Sequence, residues 1–321
     1  MELFDLAAAN LISPPILFFL LGLVAALVRS DLAIPEAVAK GISIYLVMAI
    51  GFKGGAEMAA SPLVAAALAI VAGILLSAAL PFISFGALRA TSRLPRVDAA
   101  AIAAHYGSIS IVTFIAASDA GAAMGLAAAG FMVAVAAAME APAIFSGLAL
   151  AGRREGAGGG GTMIREIAFN GSIVLLIGAF AIGWATGERG MTMVQPFFGD
   201  IFRGVLCLFL LDMGLVAGRG LRRSAGKLDW RVLVHGLYMP LIGAALGLGL
   251  AALIGLEPGS AALLMTLAAS ASYIAVPAAM RLALPEADPS VSLTLSLGIT
   301  FPFNLVFGIP LYFAAAQWAL G

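Results

Sequence analysis

The chain has 321 residues, 62% of them hydrophobic and only 11% charged. A soluble domain is about half apolar and a quarter charged, so an excess this large has to meet lipid rather than hide in one core. The formal net charge of zero gives nucleic acid no electrostatic reason to bind, and the single cysteine, Cys207, excludes an intrachain disulfide and a cysteine metal cage.

The first ten residues carry Glu2 and Asp5 and no basic residue, unlike a cleaved secretory signal. A helix needs roughly 20 apolar residues to cross ~30 Å of hydrocarbon. Runs of that kind fall at Ile12–Val28, Ala37–Met58, Pro62–Leu88, Ala99–Ser118 and Met124–Ala151. A second set falls at Ile167–Thr186, Ile201–Ala217, Val232–Ile254, Ala261–Met280 and Ser290–Leu320. Short alternating segments, the mark of a membrane barrel, do not occur. The expected fold is therefore all-α and polytopic, with ten transmembrane helices.

The basic residues sort these spans. With the N-terminus outside, the inward loops receive Arg29, then Arg89, Arg93 and Arg96, then Arg153, Arg154 and Arg165. They also receive Arg219, Arg222, Arg223, Lys227, Arg231 and Arg281, which makes thirteen against one, Arg189, outside. Lys40, Lys53 and Arg203 fall within spans. Cytoplasmic loops concentrate Lys and Arg, so both termini are expected outside and the central loop in the cytoplasm.

The glycine-rich segment Arg153–Gly161 reads as linker and divides the chain nearly in half. The expected organisation is a first five-helix repeat over 1–151, a cytoplasmic linker over 152–166 and a second repeat over 167–321. Five spans per half place the halves in opposite orientations, the inverted repeat of many secondary transporters. A shift of 163 residues sets Lys40-Gly41 on Arg203-Gly204, Gly51 on Gly214 and Gly55 on Gly218. A shift of 162 sets Ser108-Ile109-Ser110 on Ser270-Ala271-Ser272.

That last pair locates the candidate site. Gly107 and Pro277 are expected to interrupt the fourth and ninth spans beside the two Ser-x-Ser pairs. A helix broken at mid-membrane presents backbone N–H groups and a positive dipole end to a small anion, while hydroxyls and freed carbonyls suit a cation such as Na⁺. The competing reading is that these serines bond back to their own helices and permit close packing. Among ionisable residues inside spans, Asp212 is the leading cation ligand or proton carrier. Glu140, just before Pro142, faces either the cavity or the cytoplasmic side. Lys53 and Glu57, four apart on one helix face, form a local pair, snorkel or bind the ligand. His105 and His235 read as hydrogen-bonded structural groups, with a proton-carrier role open for His105.

At these segments the chain resembles the sodium-dependent bicarbonate transporter (SbtA-type) family. The resemblance runs through LeuIleSerProProIleLeuPhePheLeuLeuGly, IleProGluAlaValAlaLys, IleGlyPheLysGlyGly, GlySerIleSerIleValThr, MetGluAlaProAla, PheArgGlyValLeuCysLeu and PheGlyIleProLeu, in that order. It implies two inverted five-helix repeats divided between core and gate domains, a homotrimer, and Na⁺-coupled bicarbonate uptake, with a PII-like cytoplasmic regulator in cyanobacterial members. It implies that Gly107, Ser108, Ser110 and Thr113 form one half of the substrate site and Ser270, Ser272 and Tyr273 the other. Ser108, Ser110, Ser270, Ser272 and Asp212 are the Na⁺ candidates; no other metal and no cofactor is expected. The chain departs from the family pattern at Tyr273, where the family carries an acidic residue directly after the serines. Asp212 replaces that carboxylate, or coupling is to H⁺, or there is none.

The expected setting is a bacterial inner membrane. A permease for another small or organic anion is the nearest alternative. An intramembrane hydrolase built on GlySerIleSer lacks a GxSxG elbow and an orienting carboxylate on either histidine. An ATP-driven pump lacks a Walker-type loop. A membrane scaffold without transport remains the bland reading.

Overall fold

The computed structural model describes residues 13–58, 62–152, 171–224, 229–273, 276–277, 280 and 284–321. The linker Arg153–Gly161 lies outside them, with Arg153, Arg154, Arg165, Lys227 and Arg281 of the charge count and the acidic Glu2 and Asp5. In chain order the first helices are α1 Pro14–Leu27, α2 Glu36–Met58, α3 Leu63–Thr91, α4 Arg96–Gly107, α5 Ile111–Ala123, α6 Met132–Ala138 and α7 Glu140–Ala151. They are followed by α8 Gly171–Gln195, α9 Phe202–Ser224, α10 Trp230–Ile254 and α11 Pro258–Ala269, and the rod α12 covers Pro289–Leu320. Among the described residues seven helical runs are long and apolar enough to cross a membrane, and α1 and α11 are shorter apolar helices. The fourth span is α4 with α5, the fifth α6 with α7, and the ninth begins with α11.

Local chemistry sets the ends of these helices. Proline opens α1, α11 and α12, where its missing N–H has no helical acceptor to serve. Asp229 caps α10 by accepting from Arg231 N, and Asp288 caps α12 by accepting from Ser290 N. Gly152 and Gly255, both at positive φ, close α7 and α10. Guanidinium groups cover carbonyls at one end of the bundle: Arg222 donates to Ala26 O and Arg96 to Leu150 O, each at 2.9 Å.

The spans pack as two groups. In one, α1 lies along α9 and α2 along α8; in the other, α3, α4, α7, α10, α11 and α12 pack on one another. Glycine lets the first group approach backbone to backbone. A Cβ on Gly22 would run into Leu211 O and one on Gly214 into Phe19 O; across the other pair, Gly55 would meet Phe180 O and Gly183 would meet Phe52 O. Gly51 and Gly218 take equivalent places: a Cβ there would come within 2.8 Å of Leu176 O and 2.9 Å of Leu23 O. The glycines that coincide under the 163-residue shift therefore serve the same purpose at the α2–α8 and α9–α1 crossings. At the end opposite the arginine-covered carbonyls, Arg203 Nε meets Asp119 Oδ1 at 2.7 Å and ties α9 to α5.

Four expectations change. The loop expected after Thr186 is helical: α8 continues to Gln195 through a bend at Gly187, whose φ of 56° suits glycine, and a π turn Pro196–Asp200 leads to α9. The fifth span starts at Met132 rather than Met124, because residues 126–129 run non-helically against α11, where Ala129 N donates to Ser260 Oγ at 3.0 Å. Gly107 does not break its helix; it is the last helical residue, and a Cβ there would strike the Pro81 ring of α3. Pro277 is not the breaker of the ninth span either. The chain has already left the helix at Ser270, seven residues earlier, and Pro277 is itself helical.

Candidate functional site

The fourth span is interrupted at Ser108–Ser110 and the ninth at Ser270–Tyr273. The two interruptions begin alike. Ser108 leaves α4 with φ −88° and ψ 167°, and Ser270 leaves α11 with φ −84° and ψ 165°. Both serines are buried, so the carbonyls and N–H groups freed here have to find partners within the protein.

Many find them across the gap. Ser110 N donates to Ser270 Oγ at 3.0 Å, and Ser272 N donates to His105 O at 2.8 Å. His105 Nδ1 donates to Ser272 O at 2.6 Å; a carbonyl only accepts, which fixes the proton on Nδ1. Ser110 caps α5, its Oγ accepting from Thr113 N at 3.2 Å, and Ser272 Oγ accepts from Val276 N at 3.4 Å. The expected residues Gly107, Ser108, Ser110, Thr113, Ser270, Ser272 and Tyr273 thus come together around one crossing of antiparallel chain. The N–H groups of Ile111 and Val112, at the start of α5, meet no acceptor among the described residues. A helix start with free donors and a positive dipole end is what a small anion needs.

The surroundings are polar where they touch the breaks. Asn304 of α12 donates to Ala269 O at 2.9 Å and accepts from Tyr312 Oη at 2.7 Å. Ser108 Oγ donates to Glu140 Oε2 at 2.7 Å. Tyr106 Oη and Thr300 Oγ1 are 2.7 Å apart, and Thr300 donates onward to Gly236 O. His235 lies between Ser84 Oγ at 3.0 Å and Tyr238 Oη at 2.8 Å. Lys53 and Glu57 form the local pair, 4.0 Å apart and about half exposed. Asp212 is buried on α9, and among the described residues no hydrogen bond joins it to either break. A cavity of about 120 Å³ lies beside the crossing, lined by Ala101 and His105 of α4, Pro277 and Met280 beyond the ninth break, and Pro289 and Ser292 of α12.

Sequence reasoning left Asn304, Thr300 and Tyr312 out of the site. All three are buried polar residues in an apolar rod, which is the signal that could have found them. Two π-helical stretches, Thr294–Thr300 and Asn304–Gly308, shift the register of α12 and defeat a simple 3.6-residue reading of its faces.

The profile of the Na⁺-dependent bicarbonate transporter superfamily matches residues 14–317, from the first turn of α1 to the last turn of α12. The chain belongs to this superfamily. A comparison with curated proteins gives no match. Membership in the Na⁺-dependent bicarbonate transporter superfamily and the long apolar helices together make the chain an integral membrane protein of a transporter family.

Tyr273 sits at the second break with its ring edge-on to Phe301, centroids 5.7 Å apart, and its buried hydroxyl has no hydrogen-bond partner among the described residues. An unpaired buried hydroxyl costs about 1–3 kcal/mol. Tyr273→Phe is therefore expected to leave the melting temperature unchanged or raise it, while weakening solute binding if the hydroxyl faces the solute. Thermal unfolding in detergent alongside bicarbonate titration checks both halves; a clear loss of stability would contradict the first.

Proposed function

We propose that the chain is a secondary transporter that takes up bicarbonate with Na⁺, holding the solute at the crossing of the fourth and ninth spans. The carrying observation is the pair of hydrogen-bonded breaks, each opened by a serine with nearly the same backbone angles. The free N–H groups that open α5 receive the anion, aided by Ser108, Ser110, Thr113, Ser270, Ser272 and Tyr273. Serine hydroxyls and the loosened carbonyls receive Na⁺, which takes hard oxygen donors.

The two halves, 1–151 and 167–321, act as inverted repeats. Reciprocal pairing supports this reading: the first span packs on the seventh and the second on the sixth, while α3 lies against α4 much as α10 lies against α11. The group α1, α2, α8 and α9 then serves as gate, and the remainder as the core that carries the site. The positive-inside tendency sets the arginine-rich end in the cytoplasm and both termini outside. A bacterial inner-membrane setting and a homotrimer belong to the same proposal.

Coupling makes a reciprocal demand. If Na⁺ tightens bicarbonate binding by some factor, bicarbonate tightens Na⁺ binding by the same factor. Calorimetric titration of the purified protein with each ion, at several fixed concentrations of the other, is expected to give equal factors of at least about 5, the low end of ordinary coupling energies. Binding of bicarbonate that is indifferent to Na⁺ would favour the second reading, suggested by Tyr273, of a permease for a small anion with H⁺ coupling or none.

A further inference from the structure

We propose that Glu140 supplies the fixed negative charge of the coupling-cation site, with the Ser108 hydroxyl as its first partner. The inference rests on the transport reading above and names the residue that this chain uses where its family pattern carries a carboxylate after the ninth-span serines. Position 273 is a tyrosine, so the anionic oxygen has to come from elsewhere or be absent.

Glu140 stands at the point where the fifth span is interrupted, between α6 and α7, and its Oε2 accepts from Ser108 Oγ at 2.7 Å. Because Ser108 is the first residue past α4, this bond places a carboxylate directly on the fourth-span break. By donating its only proton to Glu140, the Ser108 oxygen is left with lone pairs alone for a third group. The corresponding contact on the other break is uncharged: Asn304 reaches Ala269 O through its amide nitrogen.

Among the described residues the charge has no resident counterpart. The sequence holds no Lys or Arg between Arg96 and Arg153, nor after Arg281, and no ion pair involves Glu140 among the described residues. The arginines of the core group serve carbonyls at the bundle end instead, as Arg96 does with Leu150 O. A carboxylate at membrane depth with only a serine beside it calls for a mobile cation. Hard oxygen donors, a carboxylate and a hydroxyl, suit Na⁺. Asp212, a buried carboxylate on α9 in the opposite group, has no hydrogen bond to either break among the described residues.

The test uses full-length protein, first for ²²Na⁺ binding in detergent and then for bicarbonate uptake in proteoliposomes. Wild-type uptake that does not depend on Na⁺ would remove the transport reading itself, before any variant is considered. Given a Na⁺-dependent wild type, Glu140→Gln is expected to weaken Na⁺ binding at least tenfold and flatten the Na⁺ dependence of uptake, while Asp212→Asn keeps wild-type Na⁺ affinity. Glu140→Asp, which retains the charge but withdraws it by one methylene, is expected to fold and to raise the Na⁺ concentration for half-maximal uptake severalfold. Folded Glu140→Gln or Glu140→Asp protein with wild-type Na⁺ affinity would overturn the proposal, as would loss of Na⁺ binding in Asp212→Asn alone. Should Glu140→Gln fail to fold, the Glu140→Asp shift decides.

Discussion

Gly214→Leu is expected to prevent the protein from assembling a stable α1–α9 pair, lowering its melting temperature by ten degrees or more or abolishing monodisperse protein. The cause is local. A Cβ at Gly214 would strike Phe19 O and come within 2.7 Å of Leu23 N, and both obstacles are backbone that cannot turn away as a side chain can. Overpacking costs typically about 1–3 kcal/mol and more when backbones have to separate. Here separation also parts Gly22 from Leu211 O and Gly218 from Leu23 O, so three close approaches are lost together. Gly204→Leu, on the same helix with open space around its Cβ, is the matched control and should behave as wild type. Size-exclusion profiles and thermal unfolding of the two variants measure the contrast; equal stability would show that the glycines do not set the crossing.

The second large effect falls on transport. Ser108→Ala combined with Ser270→Ala is expected to reduce bicarbonate uptake at least tenfold in folded protein. Ser108→Ala removes the hydroxyl that meets Glu140, and Ser270→Ala removes the acceptor for Ser110 N. Each lost bond costs stability on the order of 1 kcal/mol, small against the marginal total but easily seen in unfolding. The effect on uptake exceeds what that loss of stability explains, because both substitutions strip oxygen ligands from the crossing. Uptake per folded molecule, normalised by the size-exclusion peak, separates the two causes. A scaffold without transport, or a site elsewhere in the bundle, predicts unchanged uptake per molecule.

Much of this architecture could be read from the chain because the bilayer punishes irregularity. Ten apolar runs and the sorting of arginines leave few alternatives to a helical bundle, and serines repeated at one shift mark the two breaks. The reading failed where apolar composition is silent about backbone. Residues 126–129 are as apolar as a helix, yet they run non-helically against α11, and the stretch after Thr186 continues as helix because Gly187 permits the bend. Pro277 and Gly107 were conspicuous but misleading: Gly107 ends its helix against the Pro81 ring and Pro277 is itself helical, while the serines take the extended conformation. The carboxylate at the break was the hardest to place. Asp212 stands out in an apolar stretch, whereas the relation of Glu140 to Ser108, 32 residues away, exists only once the fourth and fifth spans are packed.

The most direct test of the account is flux. Purified protein in proteoliposomes, given labelled bicarbonate and an inward Na⁺ gradient, is expected to concentrate the label above equilibrium and to lose that accumulation when the gradient is collapsed. Equal accumulation with and without the gradient, in vesicles that hold Na⁺ and carry folded protein, would contradict it.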